Sequence, residues 1–165
     1  MAAIEGPRSL AIVWHSRTGA SEAMARAAAA GAGPSARLLA AASTNPTDLL
    51  AADAYLFVRP ENLGGLSGAM KEMFDTCYYP LLGQVEGRAY ATAIAAGSAG
   101  QGAEAQIDRI AKGWRLRRVA PSLIVSTSAQ TPEAILAPKS VAAEQLQLCL
   151  ELGSVLAEGL TLGIY

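Results

Sequence analysis

The sequence predicts an α/β fold in which helices cover both faces of a five-stranded parallel sheet. Short apolar runs alternate with helical patterns along the whole chain, which is typical of parallel strands joined by crossover helices. The 165 residues, 52% of them hydrophobic, are enough to bury one core. No linker or change of composition divides the chain. We therefore expect one domain over residues 1–165.

Apolar runs and helical spacing place the elements of the first half of the chain. Continuous apolar runs bounded by turn residues predict strands, and apolar residues three or four positions apart predict helices. Asn45 and Pro46 start one helix, because asparagine is a good cap and proline suits the first helical position. The predicted order is strand 10–14, helix 21–30, strand 36–40, a short helix after residue 45, and strand 54–58.

The second half of the chain continues this alternation. A helix is predicted from Ser67, with apolar positions up to Cys77, and a later helix has an apolar face that includes Trp114. The last helix is predicted to follow a loop at 132–138 and to end near Gly159. Strands are predicted at 89–95 and 122–125, and core positions in the last helix at Val141, Leu148, Leu152, Val155 and Leu156.

The loop after the first strand combines three hydroxyl side chains with a glycine. A helix start offers unpaired backbone N–H groups and the positive end of the helix dipole, which stabilises an exposed anion by about 0.3–1 kcal/mol. Hydroxyl groups add donors at the same point, so we predict a phosphate site. A turn in which Ser21 only caps the following helix is the alternative. The loop consists of Ser16, Arg17, Thr18, Gly19, Ala20 and Ser21.

Two further loops are predicted at the same edge of the sheet. Ligands of doubly wound sheets bind outside the carboxyl ends of the strands. Segment 60–64 follows the third strand, and its irregular path suits backbone hydrogen bonds to the edge of a flat heterocycle. Segment 97–102 follows the fourth strand and is rich in glycine, with Gln101 as its one long polar side chain. The alternative is a plain surface turn that leads to a helix cap at Ser67. Such a turn would explain the residues that follow segment 60–64, but not segment 60–64 itself.

The three loops resemble the flavin-binding segments of the flavodoxin-like family. The first matches that family's phosphate loop, in which hydroxyl residues flank a glycine, and the other two resemble its second and third segments in order and spacing. The likeness is nearest to NAD(P)H-dependent FMN and quinone reductases. It implies a flavodoxin-like three-layer α/β/α sandwich, with a five-stranded parallel sheet in the order 2-1-3-4-5 and noncovalently bound FMN. The implied FMN contacts are Ser16, Arg17, Thr18, Gly19, Ala20, Ser21, Pro60, Glu61, Asn62, Leu63, Gly64, Gly97, Ser98, Gln101 and Gly102.

The resemblance also implies an activity, namely electron transfer from NAD(P)H through FMN to a quinone or another small acceptor. Neither the second nor the third loop contains an aromatic residue, so we expect one face of the flavin to be open to a nicotinamide or a quinone. The balance of 13 basic and 14 acidic side chains differs from the acidic surface of electron-carrying flavodoxins. An electron carrier without its own substrate turnover is the alternative.

Two side chains beside these loops have open roles. Arg59 stands where the family usually has a small hydroxyl residue, and its charge could instead attract a nicotinamide phosphate. His15 is the only histidine; a structural role is expected, with phosphate binding or proton relay as the alternative. No catalytic side chain is predicted, because the flavin itself carries the chemistry.

The composition argues against several other classes of protein. A net charge near zero does not suit nucleic-acid binding. Cys77 and Cys149 form no metal or redox motif and are expected in the core. The N-terminal segment 1–5 lacks the basic region of a signal peptide, and no membrane span is predicted. We therefore expect a cytoplasmic protein without a bound metal, and homo-oligomerisation stays open.

Overall fold

Seven strands and six helices alternate along the chain in the computed structural model, which describes residues 6–165. The expectation for segment 1–5 lies outside these residues. The strands are β1 (Leu10–Trp14), β2 (Ala36–Ala40), β3 (Ala54–Asn62), β4 (Gly65–Leu66), β5 (Ala89–Ala96), β6 (Arg117–Arg118) and β7 (Leu123–Ser126). The helices are α1 (Ala20–Ala32), α2 (Pro46–Leu50), α3 (Gly68–Leu81), α4 (Gln101–Gly113), α5 (Pro132–Leu136) and α6 (Ala143–Thr161).

The parallel sheet has the order that the sequence predicts. β2, β1, β3 and β5 lie side by side, and both β6 and β7 pair with β5 at the fifth position. The fifth strand is therefore present but broken, and Pro121 in the break has no N–H for the sheet. A short antiparallel strand, β4, pairs with the end of β3 and is an addition that the sequence did not predict.

Two apolar layers cover the faces of the sheet, because successive strand residues point to opposite sides. On one side α1 and α6 enclose a cluster that includes Met24 and Leu156. On the other side α3 and α4 enclose a cluster with Phe57, Phe74 and Trp114, in which the ring centroids of Phe57 and Phe74 are 5.1 Å apart. Both cysteines are buried, as predicted.

The backbones of α1 and α6 approach each other closely. A Cβ atom built on Gly153 of α6 would lie 1.9 Å from the carbonyl oxygen of Ala28 in α1, so only glycine fits at this crossing. The predicted core positions Val141, Leu152 and Leu156 do pack against the sheet cluster. The prediction for Leu148 and Val155 is wrong, because both side chains lie on the exposed side of α6.

One predicted loop is partly helical. α5 falls within 132–138, and its first turn is capped by Thr131, whose Oγ1 accepts a hydrogen bond from the N–H of Ala134 at 3.2 Å. Among residues 6–165, no helix combines the length and the apolar character needed to cross a bilayer.

Candidate functional site

A cavity of about 300 Å³ lies at the carboxyl ends of the parallel strands. Three loops that the sequence singles out meet there, because β1, β3 and β5 are neighbours in the sheet and their carboxyl ends share one edge. The predicted residues that line the cavity are Ser16, Arg17, Thr18, Ala20, Ser21, Pro60, Glu61, Asn62, Leu63, Gly64, Gly97 and Ser98.

Three predicted residues do not line this cavity. Gly19 is the N-cap of α1, and Gln101 is exposed on the first turn of α4. Gly102 packs under the β3 loop, where a Cβ atom would lie 1.9 Å from the carbonyl oxygen of Gly64. Direct contact of these three residues with a ligand stays a prediction.

The loop between β1 and α1 leaves one hydroxyl group unpaired. Ser16 Oγ accepts a hydrogen bond from the N–H of Gly19 at 3.0 Å and closes the turn. Ser21 is 1% exposed, lines the cavity, and its Oγ has no hydrogen-bond partner in the described part of the chain. The alternative in which Ser21 caps α1 is wrong, because the helix begins at Ala20. A buried donor beside a helix N-terminus fits a phosphate oxygen.

The loop after β3 is a tight hairpin turn into β4. Its two central residues, Leu63 and Gly64, have φ values of +50° and +74°, as in a type I′ turn. Leucine is an uncommon residue in this left-handed conformation. The Leu63 side chain is fully exposed at the cavity, so the turn presents an aliphatic group there.

The Glu61 carboxylate is bound within the protein. Its Oε1 accepts a hydrogen bond from the N–H of Gly100, and its Oε2 accepts one from the N–H of Ala103, both at 3.0 Å. These are N–H groups of the first turn of α4, which lacks intrahelical acceptors for them. Glu61 therefore caps α4 and leaves the backbone of its loop facing the cavity.

Arg59 is fully buried under the same loop. Its Nη2 donates to the carbonyl oxygen of Ala103 at 2.7 Å, whereas Nε and Nη1 have no partner within residues 6–165. Burial lowers the pKa of Arg59 to about 9, although Asp108 and Glu104 oppose this shift. Direct contact between Arg59 and a nicotinamide phosphate is excluded, because the Arg59 side chain has no exposed surface.

His15 joins the end of β1 to the start of α3. Its Nδ1 lies 2.8 Å from the Oγ of Ser67, the N-cap residue of α3, and its ring does not line the cavity. Burial lowers the pKa of His15 below its ordinary value, and the charge of Arg17 lowers this pKa further. The neutral ring is therefore favoured in the folded protein.

One wall of the cavity comes from a segment that the sequence did not single out. It contributes Thr127, Ala129, Ile135, Leu136 and Lys139. Ile135 and Leu136 are exposed aliphatic residues of α5, and no aromatic side chain lines the cavity in the described part of the chain. The available signal was Thr131 followed by Pro132, which is a helix start, with an apolar pair after it.

Comparison with known proteins places the chain in a family. Residues 41–130, more than half of the chain, match the family model for NADPH-dependent FMN reductases. No curated protein matches the chain significantly.

Solved structures share the fold over nearly the whole chain. A flavodoxin from the domain Archaea has a TM-score of 0.74 and 18% identity, covering 93% of this chain and 99% of that one. A WrbA-like flavodoxin from Agrobacterium tumefaciens has a TM-score of 0.68 and 22% identity, covering 92% and 96%. Rubredoxin oxygen:oxidoreductase from Desulfovibrio gigas has a TM-score of 0.72 and 12% identity, covering 96% of this chain and 38% of that one.

The unpaired Ser21 hydroxyl at the start of α1 fits the phosphate of FMN. The predicted flavodoxin-like fold is confirmed, and the family match shows the cofactor class. The chain therefore belongs to the NADPH-dependent FMN reductase family.

Proposed function

We propose that this protein is an NAD(P)H-dependent oxidoreductase that passes two electrons through FMN to a quinone or another small acceptor. The observation that carries the proposal is the cavity wall. It is aliphatic at Leu63, Ile135 and Leu136, and within residues 6–165 it has no aromatic side chain to stack on a flavin. A flavin face without a protein ring over it leaves space for a second flat molecule, such as a nicotinamide or a quinone.

The proposed FMN site uses the cavity residues in three ways. The phosphate binds at Ser16–Ser21, where Ser21 and the first-turn N–H groups of α1 supply donors. The ring lies against segment 60–64 and against Gly97 and Ser98, and it receives hydrogen bonds from their backbone. Bound FMN accepts a hydride equivalent and passes the electrons on, while the protein supplies position and hydrogen bonds.

The side chains near the ring contribute no general acid or base in this proposal. Glu61 is occupied by two backbone N–H groups, and His15 points to Ser67 and not to the cavity. The protein therefore acts by orienting the ring and by excluding water with the aliphatic wall. We also propose that the chain works in the cytoplasm as one domain, with NAD(P)H and a small acceptor as its partners.

An anaerobic reduction assay tests the function. FMN-loaded protein is mixed with NADPH or NADH, and the loss of flavin absorbance is followed; a panel of quinones is then added, and reoxidation is measured. We expect rapid reduction by at least one nicotinamide and reoxidation by a quinone. Flavin that neither nicotinamide reduces, but that accepts electrons from a separate reductase, would identify an electron carrier instead. Absence of FMN binding in a fluorescence titration would reject both functions.

A further inference from the structure

Two side chains of β3 bind the backbone of Ala103, one at its N–H group and the other at its carbonyl group. Glu61 Oε2 accepts from its N–H at 3.0 Å, and Arg59 Nη2 donates to its carbonyl oxygen at 2.7 Å. Glu61 Oε1 also accepts from the N–H of Gly100. Arg59 and Glu61 are two positions apart in one strand, so both side chains leave the same face of the sheet.

These bonds connect two loops of the cavity. Glu61 belongs to segment 60–64, whereas Gly100 and Ala103 lie directly after Gly97 and Ser98. Close packing of Gly102 against Gly64 brings the same two loops into backbone contact. While the carboxylate holds both N–H groups, neither loop can move away from the other without breaking hydrogen bonds.

The arrangement is costly for stability. Arg59 is fully buried, and two of its guanidinium nitrogens have no hydrogen-bond partner within the described residues. Glu61, Glu104 and Asp108 supply the negative charge that attracts it. A buried cation with incomplete hydrogen bonding destabilises a fold. A feature of this kind, located beside a cavity, is typical of functional sites.

We propose that Glu61 and Arg59 are positioning residues for the flavin. Together they fix the separation between segment 60–64 and the Gly97–Ser98 backbone, and the buried charge of Arg59 favours the more negative, reduced flavin. The inference rests on the proposed placement of the ring between these loops. It assigns no direct ligand contact to either charged group.

Amide exchange in the cofactor-free protein tests the link between the loops. The exchange rates of the Gly100 and Ala103 N–H groups are measured by NMR in the wild type, in Glu61→Gln and in Asp48→Asn. Asp48 is a matched control, because its carboxylate accepts from the backbone N–H of Asn45 at the start of α2 and does not line the cavity. We expect faster exchange at both amides in Glu61→Gln only. Equal rates in the wild type and Glu61→Gln would overturn the proposal.

Titration with FMN tests the positioning role. We expect Glu61→Gln to weaken FMN binding by about tenfold, a difference of roughly 1.4 kcal/mol, and Asp48→Asn to leave it unchanged. Accelerated exchange with unchanged FMN affinity would show a purely structural cap and would overturn the positioning role. If the wild type binds no FMN, the proposed function fails, while the exchange experiment still decides whether the loops are linked. Should Glu61→Gln not fold, Glu61→Asp, which withdraws the carboxylate by one methylene, replaces it with the same expectations.

The reduction potential of bound FMN tests the role of the charge. Arg59→Met removes the cation and keeps a long side chain, whereas Arg59→Lys keeps the cation. We expect a more negative potential in Arg59→Met and an unchanged potential in Arg59→Lys. Wild-type potentials in both variants would remove the electrostatic part of the proposal. A shift of the same size from the wild-type potential in both variants would also remove it, because that shift would come from lost packing and not from charge.

Discussion

The N–H of Lys139 donates to the carbonyl oxygen of Thr18 at 2.7 Å, which joins the segment after β7 to the loop after β1. The Lys139 side chain meanwhile donates to the carbonyl oxygens of Ile135 and Ala137, at 2.9 Å and 2.6 Å, and holds the end of α5. One residue thus connects the aliphatic wall to the proposed phosphate loop.

Truncation of this side chain should loosen the wall. In Lys139→Ala the backbone bond to Thr18 remains, but two hydrogen bonds to α5 are lost, each contributing roughly 0.5–1.5 kcal/mol when fully formed. We expect FMN affinity to fall about threefold to tenfold, because 1.4 kcal/mol corresponds to a factor of ten. Lys112→Ala, at the far end of α4, is the control and should bind FMN as the wild type does. Equal affinity in the two variants would separate α5 from cofactor binding.

Ser21→Ala should have opposite effects on stability and on binding. The Ser21 hydroxyl is buried without a partner, and such a group costs about 1–3 kcal/mol. We expect the free energy of unfolding of the cofactor-free protein to rise, while FMN binding becomes weaker. Ser16→Ala is the comparison, because it removes the hydrogen bond that Ser16 Oγ accepts from the N–H of Gly19. This variant should lower both the free energy of unfolding and the affinity for FMN. Denaturant unfolding and fluorescence titration measure the two effects; a stability loss in Ser21→Ala would contradict the assignment.

Relief of the left-handed conformation at Leu63 should stabilise the hairpin. Leucine in this region costs roughly 1–2 kcal/mol relative to glycine. We expect Leu63→Gly to raise the free energy of unfolding by about 1 kcal/mol and to weaken FMN binding, because the exposed aliphatic contact is lost. Leu63→Ala keeps the conformational cost and loses most of the contact, so it should weaken binding without the gain in stability.

Because His15 is the only histidine in the sequence, its pKa can be measured directly. Burial and Arg17 both lower the pKa of His15, so the folded protein binds its proton less tightly than the unfolded chain does. Stability therefore falls as the pH drops from 6.5, the ordinary pKa of a histidine, toward the lower pKa of the folded state. NMR titration of the ring should show a pKa below 6.5 that rises in Arg17→Gln. Arg26→Gln, whose side chain pairs with Glu22 on α1, should leave it unchanged.

Replacement of Gly153, at the crossing of α1 and α6, by alanine should destabilise the protein. Gly153→Ala places a Cβ atom 1.9 Å from the carbonyl oxygen of Ala28, and overpacking of this kind costs about 1–3 kcal/mol. We expect a lower unfolding midpoint in denaturant. Gly68→Ala is the control, because nothing lies within 4 Å of its Cβ position, and it should be neutral or stabilising. A neutral Gly153→Ala would show that the helices can separate.

The sequence predicted the parallel sheet and the meeting of three loops, because strand patterns and turn residues are local signals. The prediction from the sequence was incomplete for β7 and for the buried face of α6. The break before β7 depends on Pro121 in its tertiary setting, and the outward side of α6 has apolar residues that resemble a core stripe. Glu61 and Arg59 were visible as residues, but their partners lie about 40 positions away, at Gly100 and Ala103. Such pairings come from the fold and not from spacing along the chain.

The packing of α1 on α6 has a consequence for biosynthesis. The buried face of α1, with Ala25 and Ala28, is covered by Cys149 and Leu156 of a helix that follows every strand in the sequence. The proposed phosphate loop precedes the other parts of the proposed site in the sequence, yet the helix that it starts has no covering partner until α6 is made. We therefore expect FMN binding only after α6 has been synthesised, although the proposed phosphate loop is synthesised much earlier.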